Sequence, residues 1–378
     1  MIARPNPTSR INWRSPMAVS GALLFAWLVI TPITLPAQIA FRDAIQVRSA
    51  GGWDEGSGHS CALLRSGQVR CWGSNRYGQL GDGTTIDRTA GVEPVGLTGA
   101  VAISVGNQHS CALLENGDVA CWGSNVLGRL GDGTETQRSV PTPVSGIQGT
   151  AVAITTGDYH SCALHSDGTG SCWGSNLKGE LGNDGAGNFS LIPVPVLAPD
   201  TRFVVIDGGG SSTCGITSTR EVRCWGNNDA GQLGDGTFVD KPTPVPVIGL
   251  KVETVALSLG KDHACALGQD GVVRCWGQNT FFQLGYGNGL SEPIPHEVMA
   301  LPPGIQDIVL GAEHSCAVSS SRGLLCWGRN ENGQLGNGHT SNAEGPSDVI
   351  GLTEPVTSVS GGDLHTCVSL SDGSVRCW

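Results

Sequence analysis

The sequence predicts an all-β chain folded as a seven-bladed β-propeller, with about 51 residues per four-stranded blade. Three observations carry that expectation. The dipeptide Cys-Trp recurs seven times, at Cys71, Cys121, Cys172, Cys224, Cys275, Cys326 and Cys377, in steps of 50, 51, 52, 51, 51 and 51 residues. That period lies in the propeller range. Glycine is abundant at 57 residues, prolines number 20 and charged residues are only 15%, a composition of short strands and tight turns. Each period also divides into four short strand-like runs, and four-stranded units repeated radially are propeller blades. A stack of solenoid coils would need atypical polar caps at both ends, and the sequence has none.

Residues 1–40 differ from the rest. They contain Arg4, Arg10 and Arg14 but no acidic residue, then a largely apolar run from Met17 to Leu35 and small residues around Ala37 and Ala40. This is the pattern of an export signal peptide. The run also approaches the roughly 20 residues that span a bilayer, so an N-terminal membrane anchor is the competing reading. Both place residues 41–378, the propeller, outside the cytoplasm: secreted, periplasmic or on the cell surface. Those residues hold 33 acidic against 19 basic side chains, a net charge of −14. Such a surface repels phosphate backbones and anionic headgroups, which argues against nucleic acid as a partner and leaves the membrane only an N-terminal anchor.

One unit reads "VAISVGNQHSCALLENGDVACWGSNVLGRLGDGT", followed by a stretch such as "PTPV". Its first strand ends at a glycine (Ile103 to Gly106), its second is "HSCALL", and its third is "VACWG" after a turn at Asn116-Gly117. The fourth follows "LGDGT" and holds Pro141 and Pro143. Proline cannot donate to a ladder, so that strand is expected at the outer edge. No fourth strand follows Trp378, and "FRDAIQV" (residues 41–47) is expected to supply it and close the ring.

"HSCALLENGDVACWGSNVLGRLGDGT" resembles the repeat of the regulator of chromosome condensation and of alpha-tubulin-suppressor-like proteins. The Gly-x-Leu-Gly element recurs at Gly78–Gly81, Gly128–Gly131, Gly179–Gly182, Gly231–Gly234 and Gly333–Gly336, and only the fifth unit breaks it, with Phe282. The resemblance covers all seven units and implies a seven-bladed propeller. It also implies the guanine-nucleotide exchange known for the founding member, in which a protruding insertion engages a small GTPase. The near-constant steps here leave no room for such a wedge.

Every unit carries two cysteines ten residues apart: Cys61/Cys71, Cys111/Cys121, Cys162/Cys172, Cys214/Cys224, Cys265/Cys275, Cys316/Cys326 and Cys367/Cys377. In an antiparallel hairpin, positions equidistant from the turn centre face each other within disulfide range. Nuclear and cytosolic members of the resembled family usually lack these cysteines, and disulfides belong to oxidising compartments. A zinc reading competes, because His59, His109, His160, His263, His314 and His365 each precede the first cysteine by two residues and share its strand face. The fourth unit has Ser212 there and keeps both cysteines, which favours disulfides. No metal or cofactor is expected.

The tryptophans after each second cysteine are expected as fillers between blades. Asp82, Asp132 and Asp235 in the "LGDGT" loops are expected as turn residues, since one carboxylate per loop is too few for calcium. Phe281, Phe282 and Tyr286 gather in the fifth unit's loop where other units place Gly and Asp, and are a candidate partner-binding patch or a gap filler. No catalytic ordering of Ser, His and Asp stands outside the repeat. The expected function is a monomeric, exported, non-catalytic scaffold for an unknown protein or cell-surface ligand. The alternatives are an enzyme acting on an extracellular polymer and the exchange factor of the resemblance.

Overall fold

The computed structural model describes residues 43–51, 58–321 and 323–378. The first sheet is ordered β1 (Ala44–Ala50), β2 (His59–Leu64), β3 (Val69–Gly73) and β4 (Arg88–Val92), all antiparallel. Five further four-stranded sheets span 100–143, 151–195, 203–246, 254–297 and 305–348. The seventh has three strands among the described residues, Val356–Gly361, Thr366–Leu370 and Val375–Cys377. The fold is the expected seven-bladed propeller.

Burial within a blade explains its sequence pattern. β2 is buried at all six residues because both of its faces meet neighbouring blades. A strand covered on both faces reads as a nearly continuous apolar run, as "HSCALL" does. The fourth strands are half-exposed, and prolines sit in them where no neighbour asks for an N–H. Two glycines have identifiable causes. Gly117 turns the second-to-third hairpin at φ 84°, where Asn116 Oδ1 accepts the Asp118 N–H. Gly131 has φ 70°, and a Cβ there would lie 2.7 Å from the Trp173 indole of the next blade.

One expectation is corrected. The expected closing segment does not supply a fourth strand to the seventh blade, because its residues 44–47 begin Ala44–Ala50, the innermost strand of the first. Its alternation matches the other first strands: Ala44 and Val47 are buried as Ala100 and Ile103 are. Without it β2 would lose its inner ladder partner. The ring closes instead by packing blade 7 on blade 1, where the Ser49 N–H donates to Ser360 Oγ at 2.8 Å. Ala44, Val47, Trp72, Cys367 and Val375 share one core cluster there. The apolar run from Met17 to Leu35 lies outside the described residues; among those described, no helix is long and apolar enough to cross a membrane.

Candidate functional site

The seams between blades use the residues that the sequence singles out. The structure joins each unit's two cysteines directly across the second and third strands, with Cα–Cα separations of 4.0–4.1 Å. The tryptophan of each blade then packs on the cysteine pair of the preceding one. Trp122 lies in a cluster with Cys61, Cys71 and Leu80, and Trp225 with Cys162, Cys172 and Leu181. Five of these indoles are fully buried, and Trp122 Nε1 donates to Gln79 O at 2.8 Å.

The histidines face the next blade rather than the cysteines. His59 Nε2 meets Ser110 Oγ at 2.8 Å, His109 meets Ser161, His160 meets Thr213, His263 meets Ser315, His314 meets Thr366 and His365 meets Ser60. Ser110 Oγ already donates its proton to Gln79 O at 3.0 Å, and Ser161, Thr213, Ser315 and Thr366 donate likewise to a carbonyl. Nε2 must therefore carry the proton at these seams, and the imidazoles are neutral. Burial explains why: it pushes His59, His263 and His314 down to about 3 and His160 and His365 to about 4.

The first strands enclose a polar channel of about 430 Å³. Its side chains satisfy the free edge of the neighbouring blade's first strand. Thr155 Oγ1 accepts the Gly208 N–H, Asp207 Oδ2 accepts the Leu259 N–H, and Ser258 Oγ accepts the Leu310 N–H. Burial raises the Asp207 carboxyl to about 6 despite these donors. It raises Asp158 to about 7, with the nearby Asp363 charge adding to the effect. Among the described residues, no group of three or more His, Cys, Asp or Glu is placed to hold a metal ion.

In an up-and-down blade, the first-to-second and third-to-fourth connections emerge on one face. In blade 1 the second of these is organised by Asp82, which accepts from Asn75 Nδ2, the Thr84 N–H and hydroxyl, and Arg88 Nε. Burial alone would raise this carboxyl, but the hydrogen bonds from Thr84, Arg88 and Asn75 outweigh it and hold it below the usual range. Asp132 and Asp235 repeat the arrangement.

Blade 5 replaces that hub with Tyr286, whose ring packs against the blade's core and whose hydroxyl donates to Cys275 O at 3.1 Å. Phe281 is half-buried with the Arg329 guanidinium 4.8 Å over its ring, and Phe282 holds φ at 65° where the other units have glycine. The three aromatics share one loop, and Tyr286 occupies the gap-filling position.

This loop face also carries a set of exposed apolar side chains that the repeat pattern does not mark. Ile86 is 61% exposed, Val126 54%, Leu177 63%, Phe238 51%, Val239 61% and Leu290 62%, on the third-to-fourth connections of blades 1 to 5. Aligning the repeats by position holds a signal for two of them, since Val126 and Leu177 stand where blades 1 and 4 have Arg76 and Asp229.

The seven-bladed fold, with its Gly-x-Leu-Gly loop element in five of the blades, defines a propeller of the chromosome-condensation-regulator type. The chain belongs to the RCC1-like domain family: that family's profile matches residues 151–378, and the regulator of chromosome condensation (RCC1) repeat matches 56–79, 100–129 and 116–164. The ultraviolet-B receptor UVR8 of Arabidopsis thaliana is 31% identical over 332 residues, which cover 85% of this chain and 75% of the receptor. The human E3 ubiquitin-protein ligase HERC2 is 30% identical over 236 residues, 60% of this chain but only 5% of the ligase. Human WBSCR16 superposes with a TM-score of 0.78 at 20% identity, covering 90% of this chain and 89% of its own. Prp20p of Saccharomyces cerevisiae, described with its binding properties to Gsp1p and histones, superposes at 0.73 with 23% identity, covering 87% and 81%. The last two likenesses concern the fold.

Proposed function

We propose that the chain is an exported, disulfide-braced and non-catalytic propeller that binds another protein through the loop face of blades 1–5. The exposed side chains Ile86, Val126, Leu177, Phe238, Val239 and Leu290 carry this reading. Large apolar side chains on connecting loops, rimmed here by Lys178 and Asp229, are the composition of a protein-binding patch. The seven cysteine pairs support an oxidising compartment, with residues 1–40 directing export. The channel carboxylate Asp207 is engaged by the Leu259 N–H and the Thr155 hydroxyl, which favours a scaffold over an enzyme. Prp20p is described as binding Gsp1p and histones, and a protein partner for this chain accords with that use of the fold.

Two measurements test the reading. Protein collected outside its producing cells and alkylated before reduction should gain no mass, and several modified cysteines would remove the oxidised, exported form. The triple variant Val126→Ser/Leu177→Ser/Phe238→Ser should keep its melting temperature and lose cross-linked capture of cell-surface protein. Unchanged capture would remove this face as the binding surface.

A further inference from the structure

At six of the seven seams, a buried histidine of one blade bonds a hydroxyl of the next. The exception is the seam between blades 4 and 5. Blade 4 has Ser212 in place of the histidine, and blade 5 has Ala264 in place of the hydroxyl. Both members of one pair are lost together, although they lie in different repeats. Among the described residues Gln232 O therefore accepts only the Trp276 indole, at 2.9 Å, where Gln283 O at the following seam accepts both Trp327 and Ser315.

We infer that the ring is built to open between blades 4 and 5, and that this seam separates before any other. The seam lacks two buried hydrogen bonds that its immediate neighbours make, whereas the seam between blades 2 and 3 lacks one, the bond from the Trp173 indole. Bonds within a dry interface hold more strongly than bonds at its wet rim. The Gln232–Asp262 bond at 3.0 Å does cross this seam, from a buried Gln232 to a half-buried Asp262, but it sits at the loop-face edge of the seam. The Asp207–Leu259 bond adds nothing special, since Thr155–Gly208 and Ser258–Leu310 are its counterparts at the adjoining seams. Backbone geometry permits movement there as well, because residues 208–210 are three consecutive glycines leading into Ser212. The join between blades 7 and 1, where a ring made from one chain must close, keeps its pair in His365 and Ser60 at 3.2 Å. The opening point is thus set by side chains and lies away from the closure.

Four equivalent amides report on four successive seams. The Asp158 N–H donates to Gly210 O, the Gly210 N–H to Gly260 O and Lys261 O, the Lys261 N–H to Ala312 O, and the Ala312 N–H to Gly362 O. Native-state hydrogen exchange on the full propeller, corrected for local sequence, should give Gly210 a protection factor roughly tenfold or more below the other three. Equal or greater protection at Gly210 would overturn the proposal, and so would lower protection at the Ser49 amide, which crosses the 7–1 join. Installing the pair by Ser212→His with Ala264→Ser should bring Gly210 up to its neighbours. Deleting it elsewhere by His263→Ser with Ser315→Ala should drop Lys261 to the Gly210 level. Should either double variant fail to fold, the wild-type comparison of the four amides decides alone.

Discussion

The seams and the loop face are made from the same repeat, yet they obey different rules. Along the seams, tryptophan, cysteine pair and histidine recur blade after blade with nearly constant partners, because each is enclosed by the next copy of itself. On the loop face the same positions hold Asp82 in blade 1 and Tyr286 in blade 5, or Arg76 in blade 1 and Leu177 in blade 3. One side chain there is exchanged for another of unlike chemistry while the backbone keeps its course. Enclosure on all sides restrains identity, with Ser212 and Ala264 at the seam between blades 4 and 5 the exception; a contact with water on one side releases it.

Substitutions should therefore grade from seam to face. The largest loss is expected for Trp225→Ala, which empties a fully buried site against Cys162, Cys172 and Phe203. Chemical denaturation should register about 3–5 kcal/mol, and a loss below about 1 kcal/mol would mean that the seams are not dry cores.

Next comes acid. The seam histidines have folded values of about 3–4, below the unfolded value near 6.5, so the unfolded chain binds more protons. Their contribution is complete above pH 6.5 and is lost as pH falls toward 4. Burial raises six carboxyls, Asp158, Asp207, Glu180, Asp262, Asp307 and Asp363, and these pull the opposite way, but of them Asp158 and Asp207 stand out at about 7 and 6, against a whole ring of lowered histidines. The urea midpoint should fall between pH 7 and 5, and His160→Gln should flatten that slope. A pH-independent midpoint in the wild type would contradict the neutral seam.

Tyr286 tests the boundary between the two regions. Its ring belongs to the core and its hydroxyl reaches a carbonyl, so Tyr286→Ser should cost roughly 3 kcal/mol and Tyr286→Phe about 1 kcal/mol. If Tyr286→Ser leaves thermal unfolding unchanged, the aromatic loop of blade 5 belongs to the face. Smallest of all should be Leu177→Ser, within about 0.5 kcal/mol in the same assay, since that side chain is 63% exposed.

Much of the fold was legible because its signals are local. Cys111 and Cys121 lie ten residues apart on a hairpin, and period-two geometry alone makes them face each other. The turn at Asn116-Gly117 and the prolines of the outer strands are equally local. The destination of Ala44–Ala50 was not legible, because a strand's alternation states which face is buried but not which sheet receives it. The partners of the histidines were hidden for a related reason. His59 and Ser110 are 51 residues apart, and nothing in either repeat says that a side chain will cross to the next blade.

The sequence by itself determined the number of blades, the four runs in each unit and the facing of the cysteines. All three depend on spacing along the chain, which local backbone geometry converts directly into contacts. Only the tertiary structure decided that the first strand begins blade 1, that six histidines bind hydroxyls one blade onward, and that Val126, Leu177 and Phe238 remain in water. Those outcomes depend on how one blade is laid against the next, and that angle is set by the closing of the whole ring rather than by any single repeat.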